Sequence, residues 1–182
     1  MAEVSAALLA ELSAGSSPGA WTLDPARSSV ALRSKTMWGL LKVRGAFTGI
    51  SGGGAVAADG TVTGRVAVAV ASLSTKNKQR DAHLQSADLF DSARYPELVF
   101  ELTGAAPSGD QIMLTGVLTV RDQSRTVSFP ATVAATPAGS ATTVKVDAVV
   151  QVNRGDYGMT WNRMGMASMD NTVTVEMVWT RS

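Results

Sequence analysis

The chain has no cysteine among its 182 residues, which excludes disulfides and thiolate metal sites. It has one histidine, too few for a histidine-based zinc site, and no metal or other cofactor is expected. Charge of either sign is scarce. The formal net charge of +1 is far from the basic excess of a nucleic-acid binder, and no aromatic-rich RNA motif is present. No apolar run is long enough to span a bilayer as a helix. Met1 to Ala20 lacks a basic n-region, and Glu3 and Glu11 bracket its apolar residues, so it does not read as a secretory signal. A soluble, cytoplasmic protein with no nucleic-acid partner and no transmembrane segment is expected. Its length makes a single domain the default and allows a sizeable core.

What is present is mostly period two. Val66, Val68 and Val70 alternate with Ala67, Ala69 and Ala71, and Leu98, Phe100 and Leu102 with Val99 and Glu101. Val144, Val146, Ala148, Val150 and Val152 alternate with Lys145, Asp147 and Gln151, and Val173, Val175, Met177 and Trp179 with Thr174 and Glu176. Ile112, Leu114, Leu118 and Val120 share a face interrupted by Gly116. These are half-buried antiparallel strands, and further ones fit Ser29–Ser34, Val43–Phe47, Gly54–Val56 and Val127–Val133. Turn residues separate them at Asp59-Gly60, Pro107–Asp110 and Pro137–Gly139. The fold class is all-β. Residues 65–71 are apolar on both faces, which calls for an apolar lumen on one side and a packed helix or second chain on the other. Periodicity alone leaves open the commoner alternative, a solid two-sheet core.

Two segments depart from this pattern. Val4, Leu8 and Leu12 recur at helical spacing and predict a short amphipathic helix, followed by a Ser/Gly-rich linker. Residues 1–20 thus form an arm before a barrel domain at 21–182: either a frayed terminus or a helix docked over an apolar opening. The second segment, Gln79 to Phe90, is polar and helix-prone between strands, with Leu84, Leu89 and Phe90 as its apolar side. It predicts a short helical turn, near residues 77–90, that closes one end of the barrel. Arg80, Asp81 and His83 fall within one turn of it. They form either a polar site, where Arg80 holds a phosphate or quinone oxygen and His83 moves a proton, or a structural network that locks the turn. The structural role is preferred. No nucleophile stands in a recognisable setting beside them, so no catalytic residue is assigned.

Met159, Met164, Met166 and Met169 cluster near Trp161. Flexible thioethers line adaptable apolar surfaces, so this loop suits the mouth of a lumen or a plug on the core. Copper is disfavoured, because neither supporting His nor Cys is present. Tyr157, Trp161 and Trp38 are placed to stack on a flat ligand or to fill barrel ends. Gly52-Gly53-Gly54 is not a phosphate loop, since no Lys-Ser/Thr or helix follows; a bulge or bend in a strand is expected there.

The segment Arg80-Asp81-Ala82-His83-Leu84-Gln85-Ser86-Ala87-Asp88-Leu89-Phe90 resembles the RDxHLxSxDFF motif of the YceI-like, polyisoprenoid-binding family. Trp21–Ser28 is similar to its WxxDPxHS opening, and Val43–Phe47 to its VxGxF strand. Ser72–Thr75, Arg94–Phe100, Gly116–Val120 and Arg154–Met159 resemble SIxT, KYPxxxF, GxLTI and RxDFGI in the same order. The resemblance implies an extended, lipocalin-like antiparallel barrel with a long apolar lumen, binding an isoprenoid-like or other hydrophobic small molecule or lipid as a carrier, and often dimeric. It moves the expectation from solid core to cavity. Val30, Leu32, Val43, Phe47, Phe100, Leu118 and Trp161 become the expected lining, with Trp38, Tyr157, Met159, Met164 and Met166 as further ligand contacts. The chain departs from the family at Arg27, where the motif has His, and at Ser34–Met37, where another His often stands. Histidines that would touch a head group are therefore missing. A repurposed barrel cyclase or isomerase, folding a linear polyene by shape, and a solid-core interaction barrel are the alternatives.

Overall fold

The computed structural model describes Ala10, residues 18–138 and residues 141–181. Val4, Leu8 and Leu12, and with them the expected N-terminal helix, lie outside the described residues. Within the rest, eleven strands form one antiparallel sheet. Three of its walls are strands broken into halves. β1 (Gly19–Leu23) and β2 (Ser29–Thr36) share the first wall, and both lie against β11 (Asp170–Arg181). β3 (Leu41–Phe47) and β4 (Ile50–Val56) share the second, β3 along β2 and β4 along β1. β5 (Val62–Ala69) and the short β6 (Leu73–Ser74) share the third. β7 (Glu97–Ser108), β8 (Gln111–Val120), β9 (Gln123–Ala138) and β10 (Ala141–Asn153) complete a meander that closes when β11 reaches β1. The result is an eight-walled up-and-down barrel in which every wall neighbours the next in the chain.

Local chemistry makes the breaks. Between β1 and β2, Pro25 has no N–H to give the ladder. Asp24 Oδ1 instead accepts from the N–H groups of Ala26 (3.0 Å) and Arg27 (3.3 Å), while Oδ2 takes Arg27 Nε at 2.7 Å. Ser28 Oγ then accepts the Val178 N–H of β11 at 2.9 Å, restoring the wall. The first motif of the sequence is thus a corner. Arg27 is half of that corner, exposed and outside the lining of the lumen.

Alternation sets the faces as expected. Val30 and Leu32 point inward, whereas Arg33 and Lys35, farther along the strand, are exposed. The gap at Gly116 in the β8 face also has a cause. A Cβ there would collide with the Phe100 ring, so the glycine makes room for an inward aromatic on β7. Gly52–Gly54 differ from expectation. β4 pairs in unbroken register with β1 and β5, with no bulge. A Cβ on Gly52 would fall 2.9 Å from Arg65 O and 3.1 Å from the Trp179 ring, so close approach explains the glycine. The register shift lies in β7, between Leu102 and Gly104.

The outer face of β5 is also simpler than expected. Among the described residues no helix covers it; the buried Ala67 lies between its cross-strand partners Ser51 and Val99. Two hairpins are tighter than the turn residues indicated. Pro107 and Ser108 still pair within β7, leaving only Gly109-Asp110 to turn. Arg121-Asp122 turns β8 into β9 with Arg121 at φ 57, a left-handed residue that no glycine marked.

The barrel ends differ. One carries the reversals at 57–61 and 109–110. The other is capped by helix α1 (Lys78–Gln85), the turn at 37–40 and the loop 154–169.

Candidate functional site: the barrel lumen

The inward residues do not close on one another. They surround one continuous cavity of about 570 Å³, within the usual range for small-molecule sites. It runs from Val56, Ile112 and Val144 near the hairpin end to His83, Arg154 and Trp161 at the capped end. Most lining side chains are aliphatic or aromatic; most of the polar ones gather at the capped end, while Thr63 and the buried, unpartnered Trp21 Nε1–H stand toward the hairpin end. An apolar chain lying inside would leave water along its whole length, and a polar group would find more partners at the capped end than at the other.

Val30, Leu32, Val43, Phe47, Phe100, Leu118 and Trp161 all line this cavity, and Met159 does as well. Four residues grouped with them are placed elsewhere. Trp38 and Met164 are 69 % and 75 % exposed on the outer surface. Both sit in reversals with left-handed backbone (φ 54 and φ 56), which turn them away from the barrel. Tyr157 is buried beneath a 3-10 turn, Arg154–Tyr157, and packs in the main core cluster without lining the cavity. Burial, assisted by the nearby Asp156 charge, pushes its phenol pKa above 10.0. Met166 is half-buried, and its carbonyl accepts the Trp38 N–H at 3.4 Å.

The α1 segment is held by a compact polar network. Asn77 caps the helix by accepting the Arg80 N–H at 3.0 Å, and Ser86 Oγ donates to the His83 carbonyl at 2.6 Å. Asp81 Oδ1 accepts from the Thr75 N–H at 2.9 Å and from Thr75 Oγ1 at 2.5 Å. Arg80 Nε donates to the same hydroxyl at 2.9 Å, and its terminal nitrogen reaches the Thr75 carbonyl at 3.4 Å. Gln85 Nε2 adds a bond to Val70 O at 2.8 Å. Arg80 and Asp81 thus converge on the end of β6 and fasten the helix there. Leu89 and Phe90 are buried below it, and Leu84 is half-buried at the cavity edge.

His83 differs from its two neighbours. Its Nε2 lies 3.1 Å from Asp88 Oδ2, and its ring meets Trp161 edge-on with centroids 4.3 Å apart. Both rings line the cavity. The pair forms the rim of the lumen, with an imidazole that Asp88 orients from outside.

Arg154 was assigned no separate role by sequence, yet it organises the other half of the cap. It is 8 % exposed, with no carboxylate at ion-pair distance among the described residues. Its guanidinium gathers backbone carbonyls instead. Nε donates to Ser168 O (3.0 Å), one terminal nitrogen to Met159 O (2.7 Å) and Trp161 O (2.8 Å), and the other to Ala167 O at 3.5 Å. Burial lowers its pKa from the ordinary arginine value. Asn162 adds a reciprocal clasp on Ala167, at 2.9 Å in both directions. These bonds place Trp161 and Met159 at the lumen. The carbonyls that satisfy Arg154 have no mark in the sequence.

Among the described residues, no group of three or more His, Asp or Glu side chains is arranged to hold a metal ion. No helix among them is long and apolar enough to cross a membrane.

Known proteins with this fold share the closed barrel. The structure superposes on BcnA of Burkholderia cenocepacia with a TM-score of 0.72 at 23% identity, covering 86% of this chain and 98% of that one. A polyisoprenoid binding domain from Saccharophagus degradans gives 0.70 at 13% identity, covering 89% and 98%. The YceI protein of Campylobacter jejuni gives 0.69 at 21%, covering 79% and 87%. In sequence, the YceI protein of Escherichia coli O157:H7 is 35% identical over 66 residues, which span 36% of this chain and 35% of that protein. The matched stretch is thus about a third of that relative's length. The YceI-like domain model matches residues 21–180, nearly the whole described barrel, and the chain belongs to the YceI-like family.

Proposed function

We propose that the protein binds an amphiphilic, isoprenoid-like molecule, its apolar chain extended along the lumen and its head group at the capped end. The continuous apolar cavity carries this reading. Burial supplies the affinity, at about 0.8 kcal/mol per methylene removed from water. His83 and Trp161, both at the capped end of the lining, favour that end for the head group. A structural relative described as a polyisoprenoid binding domain supports the same ligand class.

The carrier reading is preferred to a barrel cyclase or isomerase. His83 is directed to Asp88, Arg80 to Thr75 and Arg154 to loop carbonyls, so the polar groups at the rim hold protein structure. None is poised to exchange a proton with a chain deep in the lumen.

Lipid extraction of the purified protein followed by mass spectrometry tests the proposal. Leu118→Trp is the matched control, because it fills the lumen from β8. The parent is expected to carry or take up a polyprenyl alcohol or quinone, and the variant to lose at least about tenfold in affinity as the added ring displaces buried methylenes. Equal uptake by a folded variant would overturn lumen binding. Conversion of an offered linear polyene to a cyclised product would replace the carrier with the enzyme.

A further inference from the structure

Between Asp24 and Asp59 the chain carries no acidic residue, yet it carries Arg27, Arg33, Lys35, Lys42 and Arg44. The last four fall on the β2–β3 hairpin, and the fold makes them neighbours. Arg33 lies directly opposite Arg44, and Lys35 directly opposite Lys42, all exposed on the outer face. Like charges in facing positions repel. None of the four meets a carboxylate at ion-pair distance among the described residues, and neither do the exposed Lys76 and Arg163 nearby. Of the carboxylates at this end, Asp81 is engaged with Thr75, Asp88 with His83 and Asp170 with Asn153, while the exposed Asp122 and Asp156 belong to the β8–β9 turn and the 154–157 turn and not to this hairpin. A shallow depression lined by Lys42, Arg44, Lys76 and Arg80 continues the basic face.

The tip of the same hairpin is apolar. Met37, Trp38, Leu40 and Leu41 are 41 %, 69 %, 79 % and 52 % exposed. Met37 and Trp38 are both left-handed, at φ 49 and φ 54, a conformation that glycine accepts and these residues resist. The turn therefore presents large side chains to the outside where small ones would suffice to reverse the chain. The backbone bond from Trp38 to Met166 sets the exposed Met164 loop beside it. An apolar tip with an interfacial tryptophan, backed by unneutralised cations, matches the layered chemistry of an anionic bilayer surface: acyl chains below, phosphates above.

We infer that the 33–44 hairpin docks the protein on membranes containing anionic phospholipid, with Trp38 and Leu40 entering the interface and Lys42 and Arg44 meeting the phosphates. Docking in this way turns the capped end toward the bilayer, because Thr36 and Trp161 line the lumen just behind the tip. This deepens the carrier reading by giving the ligand a source. Vesicle binding itself does not depend on what fills the lumen.

The test is flotation of the full chain with phosphatidylcholine vesicles, with and without phosphatidylglycerol. Binding is expected only with phosphatidylglycerol and is expected to weaken as salt is raised. Trp38→Ser/Leu40→Ser and Lys42→Gln/Arg44→Gln should each lower the partition coefficient about tenfold or more, with unchanged melting and unchanged uptake of a short isoprenoid alcohol from solution. No flotation with phosphatidylglycerol, flotation indifferent to salt, or parental flotation by both double variants would overturn the inference. So would a parent that does not float but sediments as a dimer that Trp38→Ser/Leu40→Ser dissociates, because the occupant is then a second copy. A parent that floats but takes up no isoprenoid keeps this surface and removes the lumen reading; uptake without flotation does the reverse.

Discussion

Two segments cover the same end of this barrel and are fastened by opposite means. The α1 segment is held by two charged side chains that share one neutral partner: the Asp81 carboxylate and the Arg80 guanidinium converge on Thr75 at the end of β6. The loop 154–169 is held by a single buried guanidinium surrounded by carbonyls. Either of these two can be lost and leave the other half-buried, still within reach of solvent. A lone arginine that serves several carbonyls has no substitute, because only its planar fork presents donors in several directions at once. The two halves of the cap should therefore fail differently.

The largest effect is expected at Arg154. Arg154→Met strands the carbonyls of Met159, Trp161 and Ser168, and the expected cost is about 3 kcal/mol or more, since bonds to a charged donor and unmet buried acceptors each contribute on the order of 1–3 kcal/mol. Denaturant unfolding reads the loss. Arg154→Lys should recover less than half of it. A lysine that restores full stability would mean that charge, and not the fork, organises the loop.

Asp81→Ala comes next. It removes the acceptor of the Thr75 N–H and hydroxyl, with an expected cost of about 1–3 kcal/mol and a smaller change in ligand affinity. A variant that melts like the parent but binds far more weakly would make Asp81 part of the binding site.

Trp161→Ala should show the reverse pattern. The ring is 38 % exposed and lines the lumen, so about 1 kcal/mol of ligand affinity is expected to disappear with little change in melting.

The smallest effect is the alkaline limb at Tyr157. Its phenol is held neutral in the fold, with a pKa raised above 10.0 by burial. The folded state thus keeps a proton that the unfolded state releases. That contribution is complete below pH 10.0 and fades as pH climbs from there through the raised folded value. Tyr157→Phe should flatten this limb relative to the parent, and an identical slope would place the phenol in contact with solvent.

The same contrast explains what the sequence could tell. α1 was legible because its signals are local: charges within one turn, with Leu84, Leu89 and Phe90 as its apolar side. Alternation divided each strand into two faces but did not say which one turns inward; that needs the register of the closed barrel, in which Val30, Phe47, Phe100 and Leu118 line the lumen. The roles of Trp38, Met164 and Tyr157 were not legible. Whether an aromatic or thioether points into a lumen or out of a turn depends on left-handed backbone, and at 38 and 164 no residue type marked it. Arg154 was hidden for a related reason, since its partners are carbonyls that every residue possesses. The close approach at Gly52 depends on Trp179, which is distant in sequence and brought near only by closure of β11 on β1.

The central claim is that affinity comes from burying an apolar chain along one lumen. A series of linear isoprenoid alcohols, lengthened one five-carbon unit at a time and titrated against tryptophan fluorescence, measures it directly. Affinity should rise at least about tenfold per added unit until the chain fills the 570 Å³ cavity, and then level off. An affinity that does not change with chain length would contradict the account, because binding would then reside in the head group alone.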